Sequence, residues 1–330
     1  MRTLSKLVFT AVLAACASVP AQAQNKKVAI AGWGPHPTLD ATIAGFRKGL
    51  AAEGFKPGEN LALDETNVNF DRSLIPQMLN KLASGNPDLM VTIATPVSLT
   101  AIQQLRTRSF PIVFTPIADP VHAGLVGGWK SGERLLTGSS VALDYDAVLT
   151  FFKAVIPGLK RLGVLYDTGD DSSTAALDGL APIAGRHGIA LVKIGVDSPS
   201  ELPQRVQSAR GRVDALYPVA SGRIQQGAAT IAATAERAQL PVVTTIPEMV
   251  RQNQAAAALA VSFEQSGEAA GRIAGRILKG ENAQAIPAWR PAPEDHHPLF
   301  SAARLKALNL SVPAAYKDCN CVVGQPGSAP

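Results

Sequence analysis

The sequence predicts an α/β protein of two doubly wound parallel-sheet lobes, and three observations carry that prediction. Short runs rich in β-branched and aliphatic residues alternate with longer stretches of helical period, the pattern of repeated strand–helix units. The strand runs are continuously apolar, which places the sheets between helices on both faces. The alternation pauses once, where Gly132-Glu133-Arg134 leads into Leu136-Thr137-Gly138-Ser139-Ser140 before a fresh unit opens at Asp144. A boundary there gives each half its own run of strand–helix units.

The first residues read as an address. Arg2 and Lys6 precede an apolar run over 7–19 and the small-residue site Ala21-Gln22-Ala23, the form of a secretion signal cleaved after Ala23. Leu13-Ala14-Ala15-Cys16 also fits a lipoprotein box, so lipid anchoring through Cys16 stands as the alternative. Strands follow at 27–31, 61–67, 89–93 and 112–115, with amphipathic helices at 39–53, 72–84 and 97–106 between them. After the pause come strands at 161–166, 190–196, 215–219, 242–244 and 257–262, with helices at 146–155, 175–187, 201–209, 223–239 and 264–279. Each helix shows apolar residues at helical spacing, and each strand is short and bounded by turn formers.

Composition narrows the class. A chain of 330 residues suffices for two domains, and 46% hydrophobic residues exclude disorder. The net charge of +5 comes from scattered Lys and Arg with no basic cluster among aromatics, so no nucleic-acid partner is expected. No later run reaches the ~20 apolar residues of a membrane helix. Cys319 and Cys321 lie in a tail without a His at zinc-finger spacing, and read as a local disulfide or two free thiols.

Several strands end in small or hydroxylic residues that open into the next helix. Thr95 reads as a helix N-cap with Pro96 at the first helical position, and Asp171-Ser172-Ser173 and Ala220-Ser221-Gly222 read likewise. Gly32-Trp33-Gly34-Pro35-His36 precedes the first helix. Such N-termini carry free N–H groups and the positive end of the helix dipole, suited to a carboxylate. The same residues cap helices where no ligand is near, and Trp33 is either a packed loop aromatic or a stacking platform. Gly32-Trp33-Gly34 lacks the third glycine of a dinucleotide fingerprint, Pro37 standing there instead. No Walker loop, Gly-x-Ser-x-Gly elbow or His-Glu-x-x-His helix is present. Neither an enzyme nor a cofactor or metal is expected.

Certain segments resemble a known family. Pro37-Thr38-Leu39-Asp40, Ala94-Thr95-Pro96, Pro111-Ile112-Val113-Phe114-Thr115 with Asp119-Pro120-Val121, Gly163-Val164-Leu165-Tyr166, Asp214-Ala215-Leu216-Tyr217 and the 267–280 helix are similar to ABC transporter substrate-binding proteins of the tryptophan/tyrosine-uptake type. That family is a branch of the type I periplasmic-binding fold. The resemblance implies a hinge crossed more than once, with a first lobe of 26–142 and about 264–285, a second of 143–263 and about 286–318, and a tail at 319–330. It also implies a periplasmic monomer that captures an amino acid or related carboxylate and delivers it to an ABC permease and its ATPase. A periplasmic sensor that presents its closed form to a membrane receptor is the alternative. The expected ligand-binding residues are Trp33, His36, Thr95, Pro96, Thr115, Asp119, Ser139, Ser140, Asp171, Ser172, Ser173, Ser221 and Glu248. Ala220-Ser221-Gly222 and Phe263-Glu264-Gln265 stand where relatives carry Thr-Asp-Asn and Asp-Tyr-Tyr, and Asp167-Thr168 replaces Asn-Pro. The ligand is therefore not fixed as an aromatic amino acid.

Overall fold

A computed structural model describes residues 25–324. The expected secretion signal with Cys16, residues 325–330 of the tail, and the side chains of Asp171 and Ser172 lie outside the described residues.

The first sheet grows from β1 (Lys26–Gly32), α1 (Pro37–Ala52), β2 (Leu61–Asn67), α2 (Ile75–Ser84), β3 (Leu89–Ile93), α3 (Thr95–Gln104), β4 (Ile112–Ile117) and β5 (Leu136–Ser140). Its five strands run parallel in the order β2-β1-β3-β4-β5. Alternate residues of β1 serve opposite faces. Val28 and Ile30 pack with Phe46 and Leu50, while Ala29 and Ala31 pack with Met78, Leu79 and Val97. Burial on both faces is why the strand run is continuously apolar. The pause at 136–140 is itself a strand, hidden by its small and hydroxylic residues.

The second sheet follows from α4 (Tyr145–Val155), β6 (Arg161–Asp167), α5 (Asp171–Arg186), β7 (Ala190–Val196), α6 (Leu202–Ser208), β8 (Ala215–Pro218), α7 (Gly222–Gln226), α8 (Ala228–Arg237), β9 (Val243–Thr244), α9 (Pro247–Arg251) and β10 (Ala257–Val261). Strands order as β7-β6-β8, joined through a Leu216–Val242 bridge to β9 and β10. The helix expected over 223–239 is two helices. Gly227 divides them, and a Cβ there would lie 1.9 Å from Leu202 Cδ1, so α6 packs where a longer side chain would stand.

After β10 the chain returns to the first sheet as α10 (Phe263–Leu278), which packs on α1. Glycines make that crossing close. A Cβ on Gly49 would lie 2.2 Å from the Glu268 carbonyl oxygen, and one on Gly271 2.2 Å from that of Phe46. The second sheet is completed by β11 (His296–Ser301), α11 (Ala302–Ala307) and β12 (Val322–Val323). β11 runs antiparallel to β10, so this sheet is not wholly parallel. Cys319 and Cys321 form a disulfide beside β12.

The expected return to the second lobe near Ile286 comes later in the chain. Ile286 is 1% exposed among the residues around Phe46, and its carbonyl accepts from Thr137 Oγ1 at 2.8 Å. Trp289 bridges to Ser139, with Trp289 N–H donating to Gly138 O (2.9 Å) and Ser140 N–H to Trp289 O (2.8 Å). Residues 286–289 thus lie along β5 as a strap, because its open edge offers backbone partners.

Candidate functional site

Three chain segments cross between the sheets. The first leaves the carboxyl end of β5 and enters α4, the second leaves that of β10 and enters α10, and the third follows the strap into β11. Because the first two join a strand's carboxyl end to a helix N-terminus of the other sheet, the carboxyl edges of both sheets are apposed. In open α/β sheets that edge is where ligands bind.

The crossings are stitched together. Asp144 N–H donates to His296 Nε2 at 2.9 Å, so the ring proton is on Nδ1, which donates to Ala292 O at 3.0 Å. Ala292 N–H donates to Asp295 Oδ2 (2.8 Å), and Gln265 Nε2 donates to Asp295 Oδ1 (2.5 Å). His296 is 7% exposed. One histidine and one aspartate therefore link all three crossings.

On the first sheet's edge, His36 is the N-cap of α1, its Nδ1 accepting from Thr38 N–H at 3.3 Å. The expected cap at Thr95 is corrected: Ala94 is the N-cap of α3, at φ +76°, with Thr95 and Pro96 inside the first turn. Ala94 holds that left-handed backbone because its N–H donates to Thr115 O (3.0 Å) and its carbonyl accepts from Ser98 N–H (3.1 Å) and Ser98 Oγ (3.0 Å). Left-handed backbone costs a non-glycine residue on the order of 1 kcal/mol, and such strain gathers at functional positions. Thr95 and Pro96 are half-buried. Asp119 Oδ1 accepts from Val121 and His122 N–H, both at 3.0 Å. Trp33 is half-buried and meets Phe70 edge to face, centroids 5.9 Å apart.

On the second sheet's edge, α5 begins after Asp170, whose carbonyl accepts from Ser173 and Thr174 N–H. Ser173 is fully buried and its hydroxyl has no partner among the described residues. Ser221 caps α7, accepting from Ile224 N–H at 3.4 Å. Beside them the buried Asp167 pairs with Arg223 at 2.7 Å. Glu248, in α9, reaches Arg251 at 3.4 Å through Oε1, while its Oε2 is buried without a partner among the described residues.

Two expected contacts are overturned. Thr115 and Ser139 are fully buried, and Ser139 Oγ bonds Thr115 Oγ1 (2.7 Å), Ser266 O (2.7 Å) and Ser266 Oγ (2.9 Å). The pleat turns both hydroxyls toward α10 and away from the edge. Ser140 is also fully buried, its hydroxyl accepting from Ala142 N–H at 3.3 Å.

Tyr145 and Phe70 went unread in the sequence, and Tyr217 was read only as part of a strand. Burial foremost, then Tyr217 and the Asp119 carboxylate, hold the Tyr145 hydroxyl well above the usual phenol pKa. The Asp119 carboxylate thus acts across the crossings on the Tyr145 phenol. Burial likewise pushes Tyr217 up to about 12, against a 3.4 Å contact with Thr245 Oγ1. The legible hint was Phe70 itself, an apolar residue inside the turn-forming run Asn67-Val68-Asn69-Phe70-Asp71. Among the described residues no group of three His, Cys, Asp or Glu side chains is placed to hold a metal.

Two α/β lobes, apposed at their strand ends and joined by three crossings, define a binding protein of the type I periplasmic-binding class. Comparison with known proteins agrees: the chain belongs to the family of ABC transporter substrate binding proteins, whose model matches residues 27–294. It is therefore a binding protein and not an enzyme. A tyrosine-binding protein of Clostridioides difficile strain R20291 is 28% identical over 287 residues, covering 87% of this chain and 82% of the relative. A ligand-free, open substrate binding protein with adhesive properties from Clostridium difficile is 30% identical, covers 88% and 96% of the two chains, and superposes with a TM-score of 0.73. A domain from Streptococcus pneumoniae in complex with L-Trp shares the fold at a TM-score of 0.81 and 24% identity, covering 91% of this chain and 100% of that one. No described helix is long and apolar enough to cross a membrane.

Proposed function

We propose that this chain is the periplasmic receptor of an ABC importer, capturing an L-amino acid between its lobes and delivering it to a membrane permease driven by an ATPase. The observation that carries the reading is the buried hydroxyl of Ser173 in the first turn of α5, without a partner among the described residues, on the edge apposed to the N-termini of α1 and α3. A buried hydroxyl without a partner costs about 1–3 kcal/mol, which a ligand oxygen or ammonium would relieve. His36, Thr95 and Pro96 offer the first-lobe helix termini to a carboxylate. Asp119, with Oδ1 already bonded, offers its remaining oxygen to an ammonium, and Ser221 and Glu248 would contribute from the second lobe. The relatives described as binding tyrosine and in complex with L-Trp support the amino-acid class. Ligand contacts from both lobes would favour the closed form.

A thermal-shift screen of residues 24–330 against the amino acids, small carboxylates, nucleosides and sugars tests this, since a ligand that binds only the native state raises the melting temperature. A shift with one or more amino acids is expected. A shift confined to a sugar or nucleoside, or none with any amino acid, would sink the reading. Asp119→Asn should weaken that amino acid at least about tenfold, the scale of a charge-assisted hydrogen bond, while leaving the melting temperature near wild type.

A further inference from the structure

Phe70 is costly to the fold and yet carefully seated. Its backbone is left-handed, φ +65°, directly after Asn69 at φ +48°, and the residue is 45% exposed. Glycine would take that backbone without strain and without leaving an aromatic ring in water. The surroundings nonetheless make room for the ring. A Cβ on Gly34 would lie 2.8 Å from its ring carbons, so any larger residue there would displace the ring from its seat. Phe70 N–H donates to Trp33 O at 2.9 Å, and the two rings meet edge to face at 86°. The flanks are anchored, with Val68 3% exposed in the core and Asp71 Oδ1 accepting from Ser73 N–H at 2.9 Å.

Its place in the sheet gives the ring a task. β2 is the edge strand farthest from β5, beside which the crossings run. Four strand spacings of about 4.8 Å put Phe70 on the order of 19 Å from the hinge, at the mouth of the cleft. In the second sheet the strands farthest from the crossing at β10 and β11 are β7 and β6, so the turn from β6 into α5, with Ser173, stands opposite. Rotation about the hinge displaces the mouth most, and closure carries that turn toward the Trp33–Phe70 pair.

We infer that Phe70, braced by Trp33, sets the side-chain specificity of the cleft by covering the large apolar or aromatic side chain of the bound amino acid. The inference rests on the amino-acid reading above. The helix termini hold the ligand's polar groups, which every amino acid shares, and the exposed ring face reads what differs between them. Without a ligand the Phe70 backbone is strained and its side chain wet, and contact with an apolar ligand side chain would remove it from water only when the right ligand is present.

Isothermal titration of wild type, Phe70→Gly and Phe70→Leu with L-phenylalanine, L-tryptophan, L-leucine and L-alanine tests it, with melting temperatures measured alongside. For wild type, affinity should rise with the apolar area of the side chain. Phe70→Gly should lose at least about tenfold for the aromatic amino acids and under about twofold for L-alanine, Phe70→Leu falling between, by the area each side chain covers. The melting temperature of Phe70→Gly should stay within about 2 °C of wild type, because glycine relieves the backbone. Wild type binding with unchanged aromatic preference in Phe70→Gly overturns this inference alone. Equal loss for all four ligands together with a lowered melting temperature also overturns it, since Phe70 would then be a structural residue. Failure of wild type to bind any amino acid overturns both this inference and the amino-acid reading.

Discussion

Tyr217 places a phenol in the second lobe's core, 1% exposed, with its ring 5.3 Å from Phe152. Burial holds its pKa near 12 against an ordinary 10.0. Below pH 10 both folded and unfolded chains keep this proton, and stability does not depend on it. Between about pH 10 and 12 the unfolded chain ionises while the folded one does not, so stability falls, by up to about 3 kcal/mol. Denaturant titrations across that range should show a shallower alkaline decline for Tyr217→Phe than for wild type. Hydroxyls nearer the edge divide into two kinds. Ser139→Ala should cost about 1–3 kcal/mol in denaturant unfolding without altering ligand affinity, because its bonds all go to Thr115 and Ser266. Thr95→Ala should reduce affinity and spare stability. The sequence placed both residues at strand ends and could not separate them. What divides them is α10, which arrives 127 residues after Ser139 and takes its hydroxyl. Phe70 left only the hint of an apolar residue in a turn-forming run, since apolar residues are ordinarily read as core and this one is exposed.

The pairing of α1 with α10 joins the site's first loop to the hinge. His36 caps α1 at its start, and α10 begins beside Gln265, which is bonded to Asp295 of the third crossing. Gly45, Gly49, Gly267 and Gly271 let the two backbones touch, and their four-residue spacing was visible in the sequence though not its partnership. Gly271→Ala would drive a Cβ to 2.2 Å from Phe46 O and 2.8 Å from Leu50 N. Overpacking of that kind costs about 1–3 kcal/mol, measurable as a lowered denaturation midpoint. The regular strand–helix units were legible because periodicity records burial on both faces. β11 and β12 were not, because β11 carries His296, His297 and Pro298 and β12 spans only Val322–Val323. Both strands form because a neighbouring edge accepts them, a cause with no local trace.

The two lobes are expected to move as bodies about the three stitched crossings. Small-angle scattering should show a smaller radius of gyration when the bound amino acid is added, and His296→Gln should preserve that change better than His296→Ala. Gln retains an acceptor for Asp144 N–H, and Ala leaves that group unsatisfied. The two-lobed plan was legible from the pause at 132–140, whereas the strap at 286–289 was not, since nothing in its own residues points to β5.

The order in which the chain can fold follows from those returns. The first lobe's opening strands are made early, but α10 and the strap that complete it lie more than two hundred residues downstream of β1. Nor can the second sheet seal its edge before β11 and β12 exist. Neither lobe can finish from a contiguous stretch, so nearly the whole chain must be present before either becomes stable. Such remote closures make folding slow and leave sheet edges exposed meanwhile. A truncation before residue 286 would therefore unravel the first lobe as well as the second, even though every strand of the first lobe's sheet would remain.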